Sequence, residues 1–126
     1  SGSLPVLNIL LVEDGVVNQR LGQRLLEMSG HRVQIAATGR AAVEWAAQVD
    51  FDLILMDVRM PRMTGYEACE HMKAEDKLRD IPVAFLSAKG QEAEILTGLS
   101  VGAAAYIIKP FAPDQLTEKV KELLGQ

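Results

Sequence analysis

The sequence predicts an α/β fold in which helices cover both faces of a five-stranded parallel sheet. Apolar runs of four to seven residues, typical of buried parallel strands, alternate with helix-like segments five times along the chain. Strands of this kind are joined by right-handed crossovers that bury them on both faces. With 126 residues, 48% of them hydrophobic, the chain is expected to form one domain, which we place at residues 4–126.

The first half of the chain contains two strand–helix units. Residues 6–12 predict strand 1 and residues 33–36 predict strand 2, with Gly30 ending the helix between them. The predicted buried face of that first helix repeats at spacings of four and three, as Val17, Leu21, Leu25 and Met28. Thr38 is a suitable N-cap for helix 2. The predicted buried face of helix 2 consists of Ala41, Ala42, Trp45, Ala46 and Val49.

The second half contains three further strand-like runs. Residues 53–56 predict strand 3, and a loop with Pro61 and Gly65 leads to helix 3 at about residues 66–75. We expect Gly65 to adopt a positive φ in that turn. The remaining elements follow in order: strand 4 at 83–86 after Pro82, helix 4 at about 91–101, strand 5 at 105–108, and helix 5 from about Pro113.

Reactive side chains stand at the carboxyl ends of the predicted strands. They are Glu13 and Asp14 after strand 1, Asp57 after strand 3, Ser87 after strand 4 and Lys109 after strand 5. Because ligands of parallel sheets bind at that edge, we expect these groups to lie together. Each close carboxylate pair costs about 4 kcal/mol at an effective dielectric of about 20, so a cation is expected among them. Mg²⁺ is the natural candidate, since it needs few carboxylates and keeps waters for a phosphate group.

This set of groups predicts phosphoryl chemistry. The carboxylates would hold the metal, while Ser87 and Lys109 would bind phosphoryl oxygens. Asp57 then remains as a nucleophile that forms an aspartyl phosphate. Taken alone, each residue also has a plain structural interpretation, such as Asp14 capping helix 1. Their joint placement at matching strand ends favours the chemical interpretation.

Four segments resemble receiver domains of two-component response regulators in their order and spacing. They are Leu-Leu-Val-Glu13-Asp14, Leu-Ile-Leu-Met-Asp57-Val-Arg-Met-Pro61-Arg-Met-Thr-Gly65, Phe-Leu-Ser87-Ala88 and Tyr106-Ile-Ile-Lys109-Pro110-Phe111. The resemblance extends over residues 4–126. The stretch Glu-Asp-Gly-Val-Val-Asn-Gln, together with Gly-His-Arg-Val, is most similar to receivers attached to hybrid sensor histidine kinases.

The resemblance implies a fold, a phosphorylation site and a metal site. The implied fold is a flavodoxin-like (βα)5 sandwich with strand order 2-1-3-4-5. The implied acceptor is Asp57, phosphorylated by a histidine kinase or a histidine phosphotransfer domain. The implied Mg²⁺ ligands are Glu13, acting through water, Asp14, Asp57 and the carbonyl of Arg59.

The resemblance also implies a switch. Ser87 would swing toward a phosphoryl oxygen, and Tyr106 would fill the space that it leaves. The surface of helix 4, strand 5 and helix 5 would then change its affinity for an output domain or another protein partner. Arg59 and Lys89 resemble the positions that flank the attacking water, and their long side chains predict slow hydrolysis of the phosphoaspartate. Gly15 departs from the family pattern, because it removes a capping side chain from helix 1.

Composition limits the partners and the location. A net charge of −4 argues against nucleic acid or an anionic membrane as a partner of this domain, and no apolar stretch of about 20 residues predicts a membrane span. The single cysteine, Cys69, favours a reducing cytoplasm. Residues 1–3 are interpreted as a cloning remnant. His31 and His71 lack metal-ligand spacing and are expected at the surface.

Other classes of protein explain the sequence less well, with one exception. A haloacid-dehalogenase-like phosphatase would need a second aspartate two residues after Asp57, where Arg59 stands. A flavodoxin-like electron carrier would need a hydroxyl- and glycine-rich phosphate loop after strand 1, where Glu13 and Asp14 would repel the flavin phosphate. A receiver-like interaction module that is not phosphorylated stays open. We therefore predict a signalling receiver that catalyses only its own phosphorylation and dephosphorylation.

Overall fold

The computed structural model describes residues 6–58, 64–87, 105–108, 118–119 and 121–123. The elements follow one another as β1 (Asn8–Val12), α1 (Val16–Met28), β2 (Arg32–Ala36), α2 (Gly39–Gln48), β3 (Leu53–Asp57), α3 (Gly65–Ala74), β4 (Val83–Ser87) and β5 (Ala105–Ile108). Residues 118–119 and 121–123 are also helical, within the predicted helix 5. The strands pair in parallel in the order β2-β1-β3-β4-β5. The predicted flavodoxin-like sheet and its strand order are confirmed.

The core lies on both sides of the sheet because successive strand residues point to opposite faces. One cluster contains Leu10 and Val12 of β1 and extends to Ala42 of α2 and to Ala68 and Met72 of α3. The other cluster contains apolar residues of the alternate set, namely Ile9, Leu11, Leu26, Leu53, Leu55 and Ile107, with Leu123 packed against it. Helices α2 and α3 thus cover one face, and α1 and Leu123 lie on the other.

Helix α1 packs on the sheet through a narrow strip that contains Gly22 and Leu26. A Cβ at position 22 would lie 2.8 Å from the side chain of Leu11, so the missing side chain lets the helix approach the sheet closely. The buried face predicted from the apolar spacing was therefore wrong in most of its members. The exposed members, with their exposed fractions, are Val17 at 79%, Leu21 at 56% and Met28 at 74%.

The chain reversal after α1 brings a histidine into the interior. Gly30 ends the helix as predicted, with a φ of +89° that favours glycine. The N–H of the next residue, His31, donates to the carbonyl of Leu26 at 3.2 Å. The side chain of His31 is buried, and its Nδ1 accepts the N–H of Leu7 at 3.2 Å. The surface position predicted for His31 was wrong, whereas His71 is exposed as predicted.

Helices α2 and α3 begin at side-chain caps. Thr38 accepts the N–H of Ala41 at 3.0 Å, which confirms the predicted N-cap. Thr64 forms a capping box with Glu67, in which each side chain accepts the backbone N–H of the other residue. The predicted buried face of α2 is confirmed at Ala42 and Ala46, with Ala41 and Trp45 half-buried, while Val49 follows the end of the helix and is exposed.

Several predicted features lie outside the described residues. They are the loop with Arg59 and Pro61, helix 4, the segment with Lys89, the pair Lys109 and Pro110, and the start of helix 5 near Pro113. Of Tyr106, the structure describes the backbone position in β5.

In the part of the chain that the structure describes, no helix has the length and hydropathy needed to span a bilayer.

Candidate functional site

The sheet brings the predicted acidic residues to one edge. Val12 of β1 pairs with Met56 of β3, so Glu13 and Asp57 each stand one residue beyond the same pair. Asp57 pairs in turn with Leu86 of β4. Because these strands are parallel neighbours, their carboxyl ends point in one direction and their terminal side chains meet there.

The carboxylates of Glu13, Asp14 and Asp57 form a cluster. Each contributes one oxygen to a set in which the atoms lie within 4.8 Å of one another. Glu13 is buried, Asp57 is half-buried and Asp14 is exposed, so the cluster opens toward solvent on one side. Two ligands on opposite sides of an octahedral Mg²⁺ would be about 4.2 Å apart, which is close to this span. The oxygen donors present therefore fit one hard divalent cation.

The backbone of Glu13 is fixed on both sides of its Cα. Its N–H donates to the carbonyl of Ala36 at 3.0 Å, which extends the β1–β2 pairing past the end of β1. Its carbonyl accepts the side-chain amide of Gln19 at 2.7 Å. Gln19 did not stand out in the sequence, because a polar residue in the first turn of a surface helix is usually solvated. The sequence feature that could have indicated a role for Gln19 is Gly15. This glycine is the N-cap of α1 and, as expected, makes no side-chain cap hydrogen bond, so the start of the helix needs another fixed point.

Asp57 is the last residue of β3 and is held by close packing. The next residue, Val58, donates its N–H to the carbonyl of Leu86 at 3.1 Å and accepts the N–H of Gly65 at 3.0 Å. A Cβ on Gly65 would overlap the carbonyl oxygen of Asp57. The positive φ expected of Gly65 was wrong, because Gly65 is the first residue of α3 and is needed there for close approach.

The hydroxyl residue predicted for the site stands at the same sheet edge. Ser87 is buried and is the last residue of β4, one position after the partner of Asp57. It pairs with Ile108 of β5, the residue before Lys109 in sequence. Thus the structure clusters the three acids and places Ser87 on the neighbouring strand. Lys109 and Arg59 lie outside the described residues.

Comparisons with known proteins agree with this arrangement. The family model described as the response regulator receiver domain matches residues 9–121. The chain is 39% identical over 117 residues to the probable transcriptional regulator ycf29 of Porphyra purpurea, covering 93% of this chain and 56% of that protein. It is 36% identical over 121 residues to the polar-differentiation response regulator DivK of Brucella anthropi, covering 94% and 96% respectively.

The solved structures that are similar include a receiver from a sensor kinase. It is the receiver domain of sensor histidine kinase PA1611 from Pseudomonas aeruginosa, with a magnesium ion coordinated in the active site cleft. The TM-score is 0.89 at 34% identity, and the alignment covers 97% of this chain and 100% of that chain. The chain spans about half the length of several curated relatives that it matches, at 56% of ycf29 and 47% of a ycf27 protein from Cyanophora paradoxa.

Proposed function

Because the chain belongs to the response regulator receiver domain family, we propose that Asp57 is the residue on which it accepts a phosphoryl group. The chain is a phosphoryl-accepting receiver of two-component signalling and not a classical enzyme. The family membership confirms the resemblance inferred from the motifs, including the similarity to receivers of sensor histidine kinases. The observation that carries the assignment of Asp57 is its cluster with Glu13 and Asp14 at the shared edge of β1 and β3.

The proposed chemistry is transfer from a phosphohistidine. A carboxylate oxygen of Asp57 attacks phosphorus, a P–O bond forms, and the P–N bond to the donor imidazole breaks. Asp57 is half-buried rather than enclosed, which is compatible with attack on a donor, and the pairing of β3 with both neighbours holds its backbone in place. Ser87 and Lys109 are proposed to bind oxygens of the transferred group.

The proposed metal is Mg²⁺, with Glu13, Asp14, Asp57 and the carbonyl of Arg59 as its ligands. When bound, it would offset the repulsion among the carboxylates and the charge of the incoming phosphoryl group. The donor set supports this assignment, because clustered carboxylate oxygens suit a hard cation. Glu13 is proposed to act through water.

The proposed output is a change of the surface formed by helix 4, β5 and helix 5. Phosphorylation adds up to about two negative charges at the end of β3. Ser87 would move toward these charges, and Tyr106 would fill the space that Ser87 leaves. The conformation whose surface binds a partner would then become more populated. The backbone of Tyr106 lies in β5, paired with Phe85 of the strand that ends at Ser87. The backbones of the two proposed switch residues, Ser87 and Tyr106, are thus on neighbouring strands and two positions apart in the register.

The proposed partners follow from the family and remain general. The phosphodonor is a histidine kinase or a histidine phosphotransfer domain, and the receiving partner is an output domain or another protein. We place the receiver at residues 4–126 and infer a cytoplasmic location, which the single cysteine supports because that compartment is reducing. Loss of the phosphoryl group by attack of water on the phosphoaspartate is proposed as the second reaction that the domain promotes.

Intact-mass measurement after incubation with Mg²⁺ and acetyl phosphate tests the acceptor. We expect the wild-type protein and the control Asp50→Asn to gain one phosphoryl group, because Asp50 is exposed and lies outside the carboxylate cluster. We expect Asp57→Asn to gain none. A gain in Asp57→Asn would place the acceptor elsewhere. No gain in the wild-type protein with either acetyl phosphate or a phosphohistidine donor would favour the interaction module that is not phosphorylated.

A further inference from the structure

Gln19 contacts the acidic end of β1 with both its backbone and its side chain. Its backbone N–H donates to the carbonyl of Gly15 at 2.9 Å, which is the first hydrogen bond of α1. Its side-chain Nε2 donates to the carbonyl of Glu13 at 2.7 Å. The two acceptors are the residues on either side of Asp14. Gln19 therefore forms hydrogen bonds to the residues on both sides of Asp14, the exposed acid of the cluster.

The two hydrogen bonds of Gln19 compensate for the capping side chain that Gly15 lacks at the start of α1. A Ser, Thr, Asp or Asn side chain at an N-cap usually fixes the turn that enters the helix, and Gly15 has no such group. Gln19 supplies a fixed point from one turn further along, in a half-buried position. An amide suits this place, because it donates a hydrogen bond without adding charge to a cluster that must attract a cation.

We propose that Gln19 is a positioning residue that holds the segment 13–15 in the conformation in which its carboxylates bind a divalent cation. This inference rests on the proposed metal site. With the carbonyl of Glu13 tied to Gln19 and its N–H tied to Ala36, the peptide planes on both sides of Glu13 are fixed before any cation arrives. Ligands that are already ordered lose less conformational entropy on binding, so affinity rises without a new contact to the ion.

Two variants that remove the same chemical group separate this role from a general effect on the helix. Gln19→Met keeps the length of the side chain and removes its amide donor. Gln23→Met makes the same change one turn further along α1, where the glutamine is also half-buried and lines a surface groove away from the cluster. If Gln19→Met does not fold, Gln19→Ala is the second test variant, because alanine has a high helix propensity.

Each protein is titrated with Mg²⁺ and followed by backbone amide NMR, and the metal-free spectra are compared first. We expect the metal-free amides of residues 13–15 to shift in Gln19→Met and to stay unchanged in Gln23→Met. We expect the Mg²⁺ dissociation constant to rise about fivefold in Gln19→Met, a change that corresponds to about 1 kcal/mol, and to stay within about twofold in Gln23→Met.

The outcomes distinguish the inference from the function on which it rests. If wild-type protein binds Mg²⁺ and Gln19→Met binds it equally well, the positioning role is wrong while the metal site stands. If Gln23→Met weakens binding as much as Gln19→Met, the effect belongs to the helix and the inference is also wrong. If wild-type protein does not bind Mg²⁺, the metal site is wrong and the inference fails with it.

Discussion

The main-chain carbonyl of Asp57 lies so close to Gly65 that any side chain at position 65 would overlap it. The same glycine donates its N–H to the carbonyl of Val58 at 3.0 Å, which fastens the start of α3 to the end of β3. The capping box of Thr64 and Glu67 sets the direction of α3 at this point. The backbone that carries Asp57 is thus held by packing as well as by the sheet.

We expect Gly65→Ala to lower the free energy of unfolding by about 1 to 3 kcal/mol and to displace the backbone of Asp57, because the added methyl group must push apart two main chains. The measurements are urea unfolding and the amide NMR shifts of residues 57–58. Gly30→Ala is the control. The φ of +89° at Gly30 makes alanine unfavourable there by about 1 kcal/mol, but no atom lies within 4 Å of the new Cβ, so this variant loses stability without displacing Asp57. Unchanged shifts at residues 57–58 in Gly65→Ala would contradict the prediction.

Replacing the central carboxylate should stabilise the fold. Asp57→Asn is nearly isosteric and removes one charge from a cluster of three carboxylates. Because the cluster is open to solvent at Asp14 and water screens part of the repulsion, we expect the metal-free protein to gain about 1 kcal/mol or more in urea unfolding. Saturating Mg²⁺ should reduce or reverse the difference, because the wild-type protein gains binding energy that the variant lacks. The exposed Asp50→Asn should change stability little under both conditions. A metal-free Asp57→Asn less stable than wild type would show that the native interactions of Asp57 outweigh the repulsion.

The metal site predicts an order among its ligands. Mg²⁺ should bind in the millimolar to sub-millimolar range, and Asp14→Ala should weaken binding more than Glu13→Ala if Glu13 coordinates through water. Because Glu13 is buried and Asp14 is exposed, Glu13→Gln is added to separate loss of charge from loss of packing. Calorimetric titration gives the dissociation constants. Equal affinity in wild type, Asp14→Ala and Glu13→Ala would rule out the proposed pocket.

A lysine of α3 forms hydrogen bonds to the backbone of the loop that leads from α3 into β4. The Nζ of Lys73 donates to the carbonyls of Arg79 and Ile81 at 2.8 and 2.7 Å, and burial lowers its pKa. We expect Lys73→Met to cost about 1 to 2 kcal/mol in urea unfolding, because the carbonyl of the half-buried Ile81 and that of the exposed Arg79 both lose a charged donor. The exposed Lys77→Met is the matched control and should change stability by less than about 0.5 kcal/mol. Equal effects of the two variants would show that the loop does not depend on the bonds of Lys73.

The sheet and its acidic edge were predictable from the sequence because each depends on local pattern. An apolar run that is buried on both faces marks a parallel strand, and Glu13, Asp14 and Asp57 stand directly at the ends of such runs. Strand 5 was predicted with the bounds observed, and strand 3 ends one residue later than predicted. The carboxylate cluster then follows from the pairing of β1 with β3.

What could not be predicted depends on groups that carry no hydrophobic signal or that meet over a long sequence distance. The apolar spacing in α1 pointed to Val17, Leu21 and Met28, whereas the helix approaches the sheet at Gly22, where the absence of a side chain is what matters. His31 is buried because of a contact with Leu7, which is 24 residues away. The hydrogen bond of Gln19 to Glu13 likewise requires the turn geometry, which no periodicity reveals.

The buried His31 predicts a pH dependence of stability. Its Nδ1 accepts the N–H of Leu7 and can do so only while that nitrogen is unprotonated, and burial lowers the pKa of His31 from its usual value of 6.5. The unfolded chain therefore takes up a proton at a higher pH than the folded protein. The stabilisation by neutral His31 is complete above the unfolded pKa, decreases as the pH falls below about 6.5, and is lost once the pH is below the folded pKa.

We expect His31→Asn to flatten this dependence, because the amide oxygen of asparagine can accept the N–H of Leu7 and does not titrate. Urea unfolding between about pH 7 and pH 5 measures the slope in a range where most carboxylates remain charged. The exposed His71→Asn is the control and should keep the slope of the wild-type protein, since His71 takes no part in the contact between His31 and Leu7. If His31→Asn and wild type lose stability in parallel over this range, the pH dependence comes from other groups, and the contact between His31 and Leu7 does not control it.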